Sequence, residues 1–379
     1  MVRKIADNII SPIGHDSAAN YRAVLAGDTR LSHRHGVFGL PEDFHGSLFD
    51  RPAIEQLFAA EIGDGNAYTF FEKLCILTAS RAIAASGIDP AAADVLFVLS
   101  STKGNVDQLT GDLDSESAYI GGSAARIAAH FGNPNEVVTA SNACISGVCA
   151  QIAAVRLLLV GAYRHAVVIG ADVLSKFIVS GFQSFKALSP EACRPYDKDR
   201  VGLNLGEAAG CMVLTADDSM APEADWTFRA CSIHNDANHI SGPSRTGEGS
   251  YRVLADILGT VAAHELAFVN AHGTATAYND EMESIAIHRA TLDTVPVNGL
   301  KGFYGHTLGA AGVIETILAM QAIDNGVVLP TRGYSQQGTT YSLDIADHVR
   351  TTSKRTFIKI LSGFGGSNAG IAYTKGGQA

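Results

Sequence analysis

Short apolar, β-rich runs recur along this chain with Ala-rich helical patterns between them, and that alternation restricts the folds open to it. The runs are Val95–Leu99, Glu136–Thr139, Ala166–Ile169, Gly210–Leu214, Leu266–Asn270, Arg355–Leu361 and Gly370–Tyr373. The helical patterns cover Phe71–Ser86, Ala118–His130, Ile145–Gly161, Ser250–His264, Asp280–Ala290 and Ala310–Asn325. Strands alternating with helices predict parallel sheets covered on both faces. The runs are continuously apolar rather than alternating, which agrees with burial on both sides. At 379 residues the chain is too long for one simple core, so two α/β units are expected. A polar stretch, Thr215–Asp225, marks the connection and divides the chain into residues 1–225 and 226–379. The two halves share no readable sequence repeat, so any duplication would be structural only.

Composition narrows the function classes. Charged residues make up 17% of the chain, against roughly 25% in soluble domains generally, which points to a large interior or subunit interface. With 28 basic and 38 acidic residues the net charge is −10, and there is no block of basic residues, so a nucleic-acid partner is not expected. The six cysteines (75, 144, 149, 193, 211 and 231) are scattered without a Cys-x-x-Cys pair. Neither a zinc site nor a disulfide framework follows from that spacing. Asp7 and Asn8 interrupt any signal-peptide core behind Arg3 and Lys4, and no run reaches the ~18 apolar residues of a membrane span. A reduced, cytoplasmic protein is the expectation.

One cysteine stands apart. Asn142-Ala143-Cys144-Ile145-Ser146-Gly147 follows a β-branched run and opens a long helical pattern. A thiol at a strand-to-helix turn faces backbone N–H groups and a helix dipole that favour the thiolate. Two histidine segments follow. Val269-Asn270-Ala271-His272-Gly273-Thr274-Ala275-Thr276 runs from a strand into a glycine turn, where ligands commonly meet α/β sheets. Lys301-Gly302-Phe303-Tyr304-Gly305-His306 leads through Gly309-Ala310-Ala311-Gly312 into a helix carrying Glu315. Gly363-Phe364-Gly365-Gly366-Ser367-Asn368 is a glycine-rich turn between strands, and Arg194-Pro195-Tyr196-Asp197 precedes Gly206-Glu207. Taken singly, these are ordinary turns, structural histidines and solvated charges. Their joint occurrence, in this order, carries the functional reading.

With these motifs the sequence resembles the β-ketoacyl-(acyl carrier protein) synthases of the elongating type, condensing enzymes of the thiolase-like superfamily. The similarity runs from about Ser11-Pro12-Ile13-Gly14 to Gly370–Tyr373. It implies a five-layered αβαβα fold of two similar halves, the first with the nucleophilic cysteine and the second with the His/His/Lys residues. It implies acyl transfer to Cys144, then decarboxylative Claisen condensation with a malonyl thioester. Cys144 and Phe364 would supply oxyanion N–H groups, with Phe364 also a gate, and His272 and His306 would donate to the enolate. Lys301, paired with Glu315, would orient the histidines; Thr274 and Thr276 would meet a phosphopantetheine arm, with Asn368 in support. No metal or other cofactor is implied, since substrates ride on acyl carrier protein. The partners implied are that carrier and a second subunit, in a homodimer or a heterodimer with a related synthase.

Thiolases add a second catalytic cysteine and chain-initiating synthases pair cysteine with His and Asn, so the elongating branch fits best. A non-catalytic partner subunit akin to a chain-length factor, or an acyl-CoA-using thiolase-like enzyme, are the alternatives. The chain departs from the family pattern between Gly104 and Ala124, at Ile145 beside the nucleophile, and at Asn298-Gly299-Leu300. These departures bear on pocket shape and suggest a secondary-metabolite synthase, such as one making aryl polyenes. An acidic carrier needs a local basic patch; Lys186 is the first candidate, with Arg81 and Arg126 behind it.

Overall fold

The computed structural model describes residues 1–109, 118–220 and 226–376. Its main sheet has ten strands, here β1 (Arg3–Ile10), β2 (Val95–Ser100), β3 (Val138–Ala140), β4 (His165–Asp172), β5 (Ala208–Thr215), β6 (Trp226–Asn235), β7 (Leu266–Asn270), β8 (Val297–Asn298), β9 (Thr356–Gly363) and β10 (Ser367–Lys375). Across the sheet they lie in the order β8-β7-β9-β10-β6-β1-β5-β4-β2-β3. Read from each outer edge to the centre, both halves follow third, second, fourth, fifth, first strand. Pairing repeats as well: the first and fourth strands run antiparallel to the fifth, and the second runs parallel to the third and fourth. The duplication absent from the sequence is therefore present in the topology. The two halves join at the centre through Arg3–Thr227 and Lys4–Trp226.

The sheet is mixed, which corrects the expectation of parallel sheets. In each half the fourth strand pairs antiparallel with the fifth, and the fifth with the first. The sequence runs also miss β6 entirely, whose burial fades along its length.

Ten α-helices cover the described residues: α1 (Ser17–Ala26), α2 (Arg51–Glu61), α3 (Phe70–Ser86), α4 (Ile120–His130), α5 (Ser146–Leu159), α6 (Lys176–Ser184), α7 (Glu248–Leu258), α8 (Ala277–Arg289), α9 (Lys301–Tyr304) and α10 (Ala311–Asp324). Helix α3 lies on β1, β4 and β5, and α7 on β6 and β10. Between the halves run α5 and α10, each touching strands of both. Both are apolar nearly all round, as a central layer requires. They give the layers α, β, α, β, α.

The two central helices touch backbone to backbone. A Cβ on Gly147 would sit 2.8 Å from Gly312 Cα, so neither position takes a side chain. Gln151 fastens the contact: its Nε2 donates to the Gly147 carbonyl (3.1 Å) and the Gly312 carbonyl (2.9 Å), and its Oε1 accepts from Tyr373 Oη (3.1 Å).

No helix among the described residues is long and apolar enough to cross a membrane. Residues 110–117, the centre of the departure between Gly104 and Ala124, lie outside the described residues, as do 221–225 of the polar connection.

Candidate active site

Cys144 stands where β3 turns into α5. Ala143 before it holds φ at 45°, in the left-handed region that a non-glycine residue adopts at a cost. Ser146 clasps this turn, its Oγ accepting from Asn142 N (2.8 Å) and donating to the Ala143 carbonyl (2.6 Å). No side chain caps α5. Gly363 packs behind: a Cβ there would lie 3.2 Å from Cys144 N, so the glycine-rich turn can press against the cysteine backbone.

The second half brings in both histidines. Ligand-type atoms of Cys144, His272 and His306 all lie within 4.8 Å of one another, the one such group among the described residues. The imidazoles meet edge to face, centroids 5.0 Å apart. His306 is gripped by residues 204–206, donating its N–H to the Asn204 carbonyl (2.6 Å) and accepting at its carbonyl from Gly206 N (3.0 Å). Leu308 N donates to His306 Nδ1 (3.3 Å). That bond assigns the neutral tautomer with its proton on Nε2, and Nε2 has no protein partner. His272 Nδ1 is likewise buried without a partner. These unpaired nitrogens give the site hydrogen-bonding capacity for a ligand. The three residue types are also metal ligands, a convergence that linear spacing did not display.

Charge beneath the histidines is dense. Lys301 Nζ donates to the His272 carbonyl (2.6 Å) and to Glu315 Oε1 (2.9 Å). A second buried lysine, Lys359 in β9, donates to the Ala271 carbonyl (3.0 Å) and to Glu315 Oε2. Glu283 accepts from His272 N (2.6 Å), Gly273 N (2.8 Å) and Tyr196 Oη (2.9 Å). Asp280 accepts from Tyr196 N (2.7 Å) and Thr274 N (3.0 Å). Sequence reasoning missed Lys359, Asp280 and Glu283. A lone lysine inside an apolar strand run, and two carboxylates spaced i, i+3 just after the His272 turn, were the available signals. The Arg194–Asp197 segment serves this scaffold through Tyr196.

Burial sets the protonation states. It pushes both imidazoles well below the ordinary histidine value, helped by Lys301 and Lys359 for each and by His306 for His272, so both are neutral near pH 7. Burial pushes Glu315 up, but the charges and hydrogen bonds of both lysines outweigh it and hold the carboxyl below its usual value. Cys144 departs from the sequence expectation. Burial pushes its thiol up to about 11, and the pull of Lys301 and Lys103 does not offset this. The resting group is a thiol.

A cavity of about 460 Å³ reaches Cys144, His272 and His306 from the surface. Thr274 and Thr276 line it, their hydroxyls 2.9 Å apart. Phe364, 37% exposed, stands between Phe182 (5.9 Å) and Phe185 (5.3 Å). Asn368 Oδ1 accepts from Ser250 and Ser362, both at 2.8 Å, and its Nδ2 donates to the Gly366 carbonyl (3.0 Å), bracing the glycine turn. Lys186 is exposed on the cavity lining. Arg81 and Arg126 do not line it; they pair with Glu61 (2.5 Å) and Glu72 (3.2 Å).

A ten-stranded duplicated sheet with a Cys–His–His site at the mouths of two central helices defines a thiolase-like condensing-enzyme architecture. The chain belongs to the β-ketoacyl synthase family. Residues 45–219 match the β-ketoacyl synthase N-terminal domain and residues 227–335 its C-terminal domain. Nodulation protein E of Rhizobium meliloti is 30% identical over 283 residues, covering 72% of this chain and 69% of that one. The 3-oxoacyl-[acyl-carrier-protein] synthase 2 of Rhizobium meliloti (strain 1021) is 34% identical over 257 residues, covering 63% and 60%. The chain spans less than two thirds of the length of several curated relatives it matches, that synthase among them. The fold also matches a chain of a ketosynthase in complex with its chain length factor from Xenorhabdus doucetiae, with a TM-score of 0.86, 22% identity, and coverage of 99% of this chain and 98% of that one.

Proposed function

We propose that this protein is a 3-oxoacyl-(acyl carrier protein) synthase, an acyltransferase that condenses an acyl group with a malonyl thioester. The observation that supports it best is the convergence of Cys144 with two neutral imidazoles at the base of a surface cavity.

In the first step Cys144 sulfur attacks the carbonyl of an acyl thioester. The oxyanion is met by the N–H groups of Cys144 and Phe364. Collapse expels the carrier thiol, which takes up the proton that Cys144 has lost, and leaves an S-acyl cysteine. In the second step a malonyl thioester enters and loses CO2, and the electron pair of the broken carbon–carbon bond forms an enolate. His306 Nε2–H, free of protein partners, donates to the enolate oxygen beside His272. The enolate carbon attacks the Cys144 thioester, and collapse releases the 3-oxoacyl carrier and the Cys144 thiolate, which takes up a proton from water to restore the resting thiol. Neutral imidazoles suit this work, because their N–H groups stabilise the enolate without quenching it by a proton. Thr274 and Thr276 would hold the phosphopantetheine arm, and the reaction as written uses no further cofactor. Lys186 would receive the acidic carrier. A second synthase-related subunit, identical or not, is the proposed partner, and the cytoplasm the proposed compartment. An elongating enzyme of primary or secondary metabolism is the finer reading.

Mass spectrometry after incubation with an acyl carrier thioester should show the acyl adduct on Cys144. Cys144→Ser should abolish loading, whereas Cys144→Gln should retain malonyl decarboxylation. A folded protein that never labels at Cys144, or equal loss of decarboxylation in both variants, contradicts the proposal.

A further inference from the structure

The four residues assigned to the chemistry leave one buried group behind the site without a role. Lys359 is fully buried in β9. An ammonium in such a place is retained only where its partners are well made. Its partners form a pattern with those of Lys301. Glu315 gives one carboxylate oxygen to each lysine, and each lysine spends a second hydrogen on one of two consecutive carbonyls, Ala271 and His272. The His272 and Gly273 amides are taken by Glu283. The backbone that carries the His272 imidazole is thus tied on both sides, from β9, α9, α10 and α8.

The charges also count. Behind the imidazole lie the carboxylates Glu315, Glu283 and Asp280 and the cations Lys301, Lys359 and Arg200, whose Nε is 3.8 Å from Asp280. Three negative groups meet three positive ones, and without Lys359 one carboxylate is in excess.

We propose that Lys359 is a positioning residue of the condensing site: with Lys301 it clamps the Ala271–His272 backbone to Glu315, and it supplies the cation that balances the carboxylates behind His272. The effect on chemistry runs through His272. An unbalanced carboxylate beneath the ring favours imidazolium, and a charged ring in this position would give its proton to the enolate. The titratable and charged groups in this balance are Cys144 and His306 beside the ring, Lys301 on α9, Glu315 on α10, Lys359 on β9, Asp280 and Glu283 on α8, and Arg200 and Tyr196, which meet those two carboxylates. Burial pulls Lys359 down to about 8, against Glu315, so the balance weakens above that pH.

This rests on the synthase reading for the rate, and on the fold alone for the titration, which separates the two in the test. The probe is the His272 imidazole by NMR in the substrate-free protein, assigned through H272Q. In the wild type it stays neutral well below the ordinary histidine value. In K359M its titration should rise by about one unit or more. The double variant K359M/E315Q, with two cations facing two carboxylates, should bring it back. Malonyl decarboxylation in a Cys144→Gln background should fall about tenfold in kcat in K359M with KM for the malonyl carrier unchanged. The double variant should recover the pH profile and not the full rate, because the clamp is still missing. A folded K359M with unchanged titration and kcat overturns the proposal. If K359M does not fold, the wild type decides: a His272 that titrates at the ordinary histidine value also overturns it. A wild type that shows the shift but decarboxylates nothing counts against the synthase reading, while the shift still supports the placement of Lys359.

Discussion

Replacing Gly312 by alanine tests whether the backbone contact between α5 and α10 sets the catalytic distances. The new Cβ would lie 2.4 Å from Val148 N, 2.6 Å from the Gly147 carbonyl carbon and 2.8 Å from Gly147 Cα. All three are main-chain atoms, so no rotamer change relieves them. Ordinary contact begins near 3.4 Å, so the helices must part by 3.4 − 2.4, about 1 Å. Forcing a packed core apart in this way costs about 3 kcal/mol, the upper end of single-methyl overpacking. The bonds that Gln151 makes across the contact, to the Gly312 carbonyl and to Thr316 Oγ1, would lengthen with it. The chemical consequence is larger than the loss of stability. Cys144 stands before α5 and His306 before α10, so the parting is transmitted to the distance between sulfur and imidazole. A misplacement of about 1 Å costs on the order of 10² in rate. Chemical denaturation and malonyl decarboxylation of G312A measure the two effects, with G181A as control. Gly181 lies inside α6 with nothing within 4 Å of an added Cβ, so that variant should gain about 0.5–1 kcal/mol from helix propensity and keep its turnover. A G312A protein with wild-type stability and turnover would refute the reasoning.

Three further outcomes are expected. Alkylation of Cys144 by iodoacetamide should rise about tenfold per pH unit from 7 to 9 without a plateau, because a thiol pushed up to about 11 gains thiolate throughout that range; a plateau near pH 7 would show a pre-formed thiolate. Decarboxylation should show no acid limb at the ordinary histidine value, since both imidazoles are depressed and stay neutral as pH falls through it. Loss should instead set in as pH falls toward 6 and be half complete near it, where Asp280, raised to about 6, takes up a proton and loosens the Thr274 turn; a profile flat down to pH 5 would contradict this. Lys186→Glu should raise KM for the carrier about tenfold at low salt with kcat little changed, and the difference should shrink at high salt; an unchanged KM at both would remove Lys186 from docking.

The parts legible in the sequence are those whose chemistry is local. Cys144, His272 and His306 each sit in a short segment with its own turn signal, and each of those segments ends at the site. Lys359 could not be found that way. Within Thr356–Leu361 it looks like any strand lysine, and its partners, Ala271 and Glu315, lie 88 and 44 residues away. Asp280 and Glu283 lie in the helical pattern Asp280–Ala290, and nothing in the sequence shows that the fold aims them at backbone amides. The strand directions were missed for a similar reason. Continuous apolar runs report burial on both faces, and an antiparallel strand in the middle of this sheet is buried just as a parallel one is. Cys144 shows the reverse error: a helix entrance argues for a thiolate, but the same entrance is closed over by α10 and the glycine turn, and desolvation prevails.

The duplicated topology has a consequence for how such a site can exist. Cys144 follows the third strand of the first half, and His306 follows the third strand of the second, at the mouths of equivalent helices that touch at Gly147 and Gly312. Two identical half-chains assembled the same way would present the same residue at both mouths, since any substitution at one is made at the other. In the proposed reaction, nucleophile and hydrogen-bond donor would then have to be one kind of side chain. A single continuous chain removes that constraint, and the asymmetry of the chemistry is written into it at two positions the fold treats as equal.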